Sequence, residues 1–286
     1  MPSSTPLRAE DLLAQSVPEL RRRYLDEGEP LPRGGLAVLE SDPRQGARAI
    51  AEGLERRKSK VRAEERRLTK LSSFEQALWD QGIELVGGVD EVGMAPLAGP
   101  VIACAVILPR GTRIHGVNDS KQLTAEEREA LDPQIRGVAI SVGIGRAEVH
   151  EIDTINIYQA GLLALRRAVL ALTPQPAHLL VDARKLPELK MPQQPIIKGD
   201  AKSITIGAAS IVAKVHRDRL MADLDREHPG YGFADHKGYP TPVHLEALKQ
   251  KGACSIHRRS FAPVAKALGL LPEQRGFDFG ARTERR

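Results

Sequence analysis

Cysteine is nearly absent. The 286-residue chain has two, Cys104 inside an apolar run and Cys254 in Gly-Ala-Cys-Ser, too few and too far apart for a disulfide framework or a zinc cluster. Long hydrophobic runs are missing too. No stretch approaches the roughly 18 consecutive apolar residues of a membrane helix, and Met1-Pro2-Ser3-Ser4-Thr5 lacks the apolar region of a signal peptide. These absences lead us to expect a soluble, unexported protein of a reducing cytoplasm. Repeats and low-complexity tracts are also lacking. With 41% hydrophobic and 28% charged residues, the balance is globular rather than disordered or collagenous. Folded units run to roughly 100–200 residues, so the length suits one large domain or one domain with an appendage.

The net charge of +5 and a pI near 9.3 favour a polyanionic partner only mildly. The surplus is concentrated, however. From Glu52 to Lys70 there are eight Lys or Arg against four acids, with Leu54, Val61 and Leu68 recurring every seven residues. That pattern predicts a long helix with a thin apolar stripe and a solvated charged face. Residues 1–84 read as a charged helical extension with too little apolar material for a large core.

Composition changes at Leu85. Leu85–Pro109 reads as two buried strands around a Pro-bearing turn, and Val138–Arg146 as a third, which suggests an antiparallel start. Ile155, Tyr158, Leu162, Leu165, Val169 and Leu172 step by three and four, predicting an amphipathic helix. The strand His178–Asp182 and the apolar run Pro195–Asp200 follow, and then a helix with Ala208, Ile211, Val212 and Val215 on one side. Alternating strands and helices imply an α/β fold: a mixed sheet, antiparallel then parallel, flanked by helices, with helical N- and C-terminal additions. Residues 85–228 form its main body. Residues 229–271 add loops and two short helices, near Val243–Lys251 and Phe261–Leu268, and 272–286 reads as a disordered tail.

Asp90 and Glu91 sit inside an otherwise apolar strand, where an unpaired carboxylate costs several kcal/mol. Asp182 ends a buried strand, and Asp200 ends the apolar run before the next helix. The C-terminal edge of α/β strands is where sites assemble, and four acids gathered there repel one another unless cations intervene. Two Mg²⁺ or Mn²⁺ ions on oxygen ligands suit that need and can drive phosphodiester hydrolysis. For Asp200 alone, helix capping is the ordinary role. Strand alternation sends Asp90 and Glu91 to opposite faces. The glycines around them therefore suggest a bulge, or a turn that brings Glu91 or its carbonyl to the shared site.

The blocks GVDEVGMAPLAGP, NDSKQL (Asn118–Leu123), LLVDARKLP (Leu179–Pro187), IIKGDAKSITIGAASIVAKVHRDRLM (Ile196–Met221), YGFADHKGYPT (Tyr231–Thr241) and HRRSFAPV (His257–Val264) stand in order. Together, over roughly Leu85 to Leu270, the chain resembles ribonuclease HII, and its charged extension resembles that of longer bacterial members. The resemblance implies an RNase H-like fold and hydrolysis of RNA in RNA/DNA hybrids. It also implies incision 5′ to ribonucleotides embedded in duplex DNA, leaving 3′-OH and 5′-phosphate ends. It places metal-binding acids on Asp90, Glu91, Asp182 and Asp200; the sister ribonuclease HIII would have Glu at the fourth position. It puts a sugar-packing aromatic on Tyr239, and Lys121, Lys198 and Lys237 become phosphate contacts. No membrane or obligate protein partner is implied. Two other readings stay open: another nuclease of the same fold, such as a junction resolvase, and a nucleic-acid-binding protein that has lost catalysis.

One segment departs from the family pattern. Where the family has Gly-Arg-Gly, whose backbone grips the ribonucleotide 2′-OH and whose Arg meets a phosphate, this chain has Gly93-Met94-Ala95. A charge-assisted contact is worth about 1.5–3 kcal/mol, a loss of tens-fold or more at that phosphate. The expectation is that hybrid cleavage is retained and single-ribonucleotide incision weakened. A Met94→Arg, Ala95→Gly variant should then incise a duplex carrying one ribonucleotide roughly tens-fold faster than the natural chain; equal rates would contradict this.

Overall fold

A computed structural model describes residues 7–270, so the tail expected from residue 272 lies outside the described residues. They divide into two compact units that meet at Thr69 and Lys70, whereas the composition changes near residue 85. In the first unit, α1 (Val17–Leu20), α2 (Gly35–Glu40) and α3 (Gln45–Leu71) accompany a small core that includes Leu12, Leu20, Tyr24, Leu39 and Ile50. The stripe on α3 is interrupted. Leu54 packs on that core and Leu68 is buried, but Val61 is exposed. Between α2 and α3, buried Asp42 takes a bidentate hydrogen bond from Arg44, which holds its carboxyl down at about 2.

The second unit runs α4 (Ser73–Trp79), β1 (Val86–Val92), β2 (Val101–Ile107), α5 (Ala125–Val138), β3 (Ser141–Ala147), α6 (Val149–Leu170), β4 (His178–Asp182), β5 (Gln193–Ile196), α7 (Ile204–Glu227), α8 (Phe233–His236), α9 (Pro242–Lys251) and α10 (Ala262–Ala267). Its sheet has the order β3-β2-β1-β4-β5. β1, β2 and β3 are antiparallel neighbours, and β4 and β5 run parallel to β1, as the sequence predicts. α6 packs on one face, closing a core with Val89, Val101, Ala103, Ala105 and Ile107. α7 packs against the other, its first turn meeting β1 at Gly88. With helices on both sides, β2 is buried along its whole length, which is why it reads as an unbroken apolar run. No described helix is long and apolar enough to cross a membrane.

Local chemistry sets the ends of these elements. Thr124 and Glu127 form a capping box for α5, and Ser203 caps α7 by accepting from the Ile206 amide. The cap of α7 is therefore Ser203 and not Asp200. α6 is broken at Asn156, where φ is 69° and ψ 164°. The Asn156 side chain accepts from the Gln159 amide and restarts the helix. This break rotates Tyr158 off the predicted apolar face, leaving it 52% exposed.

The C-terminal part is organised around buried rings. The Cys254 amide donates to His257 Nδ1 at 3.0 Å, so the His257 proton lies on Nε2, which faces His244 Nε2 at 3.0 Å. His244 Nδ1 in turn donates to the Tyr239 carbonyl at 2.9 Å. This relay uses both imidazoles in the neutral form, and a further proton would find no acceptor within it.

Two outcomes follow from this packing. A Cβ on Gly145 would lie 2.0 Å from the Ala164 carbonyl oxygen of α6, so Gly145→Ala should cost about 1–3 kcal/mol by overpacking, read as a lower urea midpoint with unchanged slope. Burial and the neighbouring His244 lower the His257 pKa from 6.5 to about 4. The folded state then binds fewer protons than the unfolded chain, so this stability is whole above about pH 6.5 and is lost as pH falls towards 4. His257→Gln keeps one acceptor and one donor, and should lose less stability over that window in urea melts at stepped pH.

Candidate active site

Val89 of β1 is in register with Val181 of β4 in a parallel ladder, so Asp90 and Asp182 are the next residues on adjacent strands. Both stand at the C-terminal edge. Beyond β5, the chain turns through Lys198, at φ 57°, into a short 3-10 helix, Gly199–Ala201, that carries Asp200 back to that edge. The Gly199 amide donates to Asp182 Oδ1 at 2.7 Å, tying the two segments together. Asp90 Oδ1 accepts from the Glu91 amide at 2.8 Å, and the Ser210 hydroxyl of α7, hydrogen bonded to that of Ser120 at 2.8 Å, lies near enough to moderate the charge of Asp90. Glu91 Oε1 lies 3.3 Å from Arg184 Nη2, while its Oε2 is buried with no hydrogen-bond partner. Lys121 Nζ reaches to 3.8 Å from Asp200 Oδ2.

The expected bulge is absent. Asp90 stays opposite Cys104 and Glu91 opposite Ala103 in an unbroken ladder, so Glu91 approaches the group by its side chain, from the face where Arg184 lies. Proximity shows in the electrostatics. Burial, then the Glu91 and Asp182 charges, pushes the Asp90 carboxyl well above its ordinary value. Burial and Asp182 also raise Glu91, although Arg184 opposes them. Asp200 is raised by burial, by Asp119 and by Asp182, with Lys121 opposing. The nearby cations thus leave three carboxyls favouring neutralisation. Among the described residues, no three His, Cys, Asp or Glu side chains are grouped closely enough to hold a metal ion as they stand. The donor set is nevertheless all oxygen, and the partnerless Glu91 Oε2 fits a hard divalent ion.

Gly93–Ala95 follows directly, and its backbone is clasped from below. Buried Arg258 donates to the carbonyls of Gly93 (2.6 Å), Met94 (3.1 Å), Pro96 (2.7 Å) and Gly99 (2.9 Å). Buried Arg217 donates to the carbonyls of Ala98 and Pro100, and to that of Lys237. Positive φ in this loop falls on Gly93, at 92°, where a Cβ would meet the Arg217 side chain; Ala95 keeps an ordinary φ. Alanine at 95 therefore imposes no backbone strain. Further stitches run from the Leu97 amide to the Gly238 carbonyl and from the Arg258 amide to the Leu97 carbonyl, each 2.8 Å. They fasten the HKGYPT and HRRSF blocks to the loop after the first acids.

Tyr239 is 39% exposed and its carbonyl is held by His244, so its ring is offered to solvent and not packed inside. Lys121 and Lys198 are exposed. Lys237 is different: its ammonium donates to the Ala234 carbonyl. Sequence reasoning assigned nothing to Asp119, Arg184, Ser210 or Arg258, although all lie inside the recognised blocks. Buried Glu75 was also missed. It accepts from the Ser203 and Thr205 hydroxyls and the Thr205 amide, anchoring the start of α7 just after Asp200.

Residues 87–264 match the family model described as Ribonuclease HII, and residues 26–79 match that described as Ribonuclease HII N-terminal domain. A ribonuclease HII of Anaeromyxobacter sp. is 58% identical over 94% of this chain and 85% of its own length. One from Myxococcus xanthus is 56% identical over 91% of this chain and 89% of its own. Among solved structures, the ribonuclease H2 of Pyrococcus horikoshii superposes with a TM-score of 0.54 at 27% identity, covering 65% of this chain and 97% of that one. With family models over both parts of the chain, relatives more than half identical and the same fold, the chain belongs to the ribonuclease HII family and is a type 2 ribonuclease H hydrolase.

Proposed function

We propose that this protein is an endonuclease that hydrolyses the RNA strand of RNA/DNA hybrids and incises 5′ to ribonucleotides embedded in duplex DNA, leaving 3′-OH and 5′-phosphate ends. The observation that carries the reading is the crowding of Asp90, Glu91, Asp182 and Asp200 on one sheet edge, where burial and mutual charge raise three of the four carboxyls. These four side chains would hold two Mg²⁺ or Mn²⁺ ions. When bound, such ions supply an activated water and stabilise the leaving oxygen of an in-line displacement. No side-chain nucleophile is needed.

The residues around the acids orient and recognise. The Gly199 and Glu91 amides fix Asp182 and Asp90 by hydrogen bonds, so the carboxylates meet the substrate already aimed. Because the Gly93 and Met94 carbonyls already accept from Arg258, the amides of Gly93, Met94 and Ala95 are the groups that would meet a ribonucleotide 2′-OH. The exposed ring of Tyr239 suits packing on the adjacent sugar, where a deoxyribose without its 2′-OH lies closer. Lys198 is exposed, Lys121 reaches outward although it pairs with Asp200, and Lys237 would have to leave the Ala234 carbonyl to join them at phosphates. Both cysteines are free thiols, which supports work in a reducing cytoplasm.

Two duplexes test this, one with four consecutive ribonucleotides and one with a single ribonucleotide. Mg²⁺- or Mn²⁺-dependent cutting of the first is expected, with weaker incision of the second. Asp182→Asn should lower kcat by about a thousandfold, since several kcal/mol of transition-state stabilisation is lost. Cutting that persists in excess EDTA would remove the proposed chemistry.

A further inference from the structure

Arg184 follows Asp182 by two residues, through a strained turn. Ala183 takes φ 53°, a left-handed conformation rare for alanine, with its amide donating to the Ile196 carbonyl, and the Arg184 amide donates to the Asp182 carbonyl at 2.7 Å. The turn sends the guanidinium back over the sheet edge. There it lies on the exposed Tyr158 ring, 5.2 Å from the centroid, and 3.3 Å from Glu91 Oε1. Its Nη1 is buried with no hydrogen-bond partner. A guanidinium has five donors in a rigid fork. Here one long ion pair, beyond the ordinary 2.7–2.9 Å of a charge-assisted bond, is the one side-chain partner its donors have among the described residues.

Its neighbour is the residue that departs from the family pattern. The Met94 sulfur lies 2.9 Å, and Arg184 Nη1 3.2 Å, from the same point above Gly161 of α6, where that glycine would carry its Cβ. A larger residue at 161 would occupy the space both side chains use. The thioether at 94 and the guanidinium at 184 thus share one shelf beside Glu91.

We propose that Arg184 is a substrate-binding residue that grips a backbone phosphate beside the acid cluster, supplying from the β4 turn the positive charge that Met94 lacks. The inference rests on the reading of that cluster as the cleavage site. Nη2, held loosely by Glu91, can turn to a phosphate oxygen, and the buried, unpartnered Nη1 would join it once the Met94 side chain moves off the shelf. The Tyr158 ring beneath and Gly161 alongside keep its plane over the edge. Glu91 holds the fork in place without substrate. Because the charge enters from a different strand end, it serves the backbone of a hybrid but not the placement of a single 2′-OH over Gly93–Ala95.

The test compares the natural chain with Arg184→Met, Arg184→Lys and the exchanged pair Met94→Arg, Arg184→Met. Hybrid binding is read by fluorescence anisotropy in EDTA across a salt series, KM and kcat by cleavage, and folding by urea melts. Arg184→Met should weaken binding and raise KM by about tenfold, with a smaller change in kcat. It should also flatten the slope of log affinity against log salt by about one, the signature of one lost phosphate contact. Lysine should recover part of the binding and most of the slope, and the exchanged pair should recover both. Unchanged affinity and slope in Arg184→Met, while the natural chain cuts hybrid, would overturn this assignment alone. So would weakened binding that the exchanged pair fails to restore, which marks a structural role. A natural chain that binds hybrid but never cuts it with Mg²⁺ or Mn²⁺ would instead overturn the reading of the acids on which the assignment stands.

Discussion

The repulsion among acids on one edge of an apolar sheet is the constraint from which the remaining architecture follows. Parallel pairing of β1 with β4 puts Asp90 and Asp182 on adjacent strands, and the turn at Lys198 adds Asp200. Alternation alone would send Glu91 elsewhere, yet its side chain still feels the Asp182 charge. Arg184 and Lys121 lie against the group but leave Asp90, Glu91 and Asp200 raised. A sheet selected for stability alone would place valine or isoleucine there, as β2 does along its whole length. The cost is carried by a core that closes on both faces of the sheet, so the edge can stay electrostatically unfavourable without loosening the fold.

A second constraint is backbone order near those acids. Arg258 and Arg217 are fully buried, and their forks are spent on main-chain carbonyls and not on carboxylates. Burial pushes them down to about 9 and about 10. The carbonyl dipoles around each guanidinium favour its charged form, and with them the fixed path of Gly93–Pro100. This is how motifs far apart in the chain come to act together: Gly93–Gly99, Gly238 and Ile256–Arg258 are joined by amide–carbonyl bonds and by these two side chains. The neutral His257–His244 relay ends on the Tyr239 carbonyl, so the ring proposed to meet the sugar hangs from the same framework.

Legibility from sequence followed how local the cause was. The strand directions could be anticipated because three strands in succession precede the alternation of strands and helices. The acids stood out because charge in an apolar strand is costly wherever the strand packs. Features set by distant contacts were hidden. Asp200 looked like a helix cap, but Ser203 caps α7, helped by Glu75 from α4. Tyr158 fitted the apolar period of α6 until the break at Asn156 turned it outward. The bulge expected at Gly87, Gly88 and Gly93 is absent because those glycines serve other ends. Gly88 admits the first turn of α7, and Gly93 makes the positive-φ turn against Arg217. Arg184 carried no signal at all, since Glu91, Met94 and Gly161 are distant in sequence.

The separation of backbone from side chain at Gly93–Ala95 explains how this site can tolerate its unusual residues. The path of the loop depends on Gly93 taking φ 92° and on carbonyls held by Arg258, and neither involves the side chain at 94 or 95. The side chain at 94 can therefore differ without moving an amide, because the framework holds only the backbone there. What changes is the charge that reaches the substrate. Charge, unlike an amide position, can be supplied from any direction that shares the space. The shelf over Gly161 is such a space, open to the thioether from one strand end and to a guanidinium from another. On the proposed function, recognition of the 2′-OH would be tied to a rigid main chain, whereas the charge that meets a phosphate could come from either side chain.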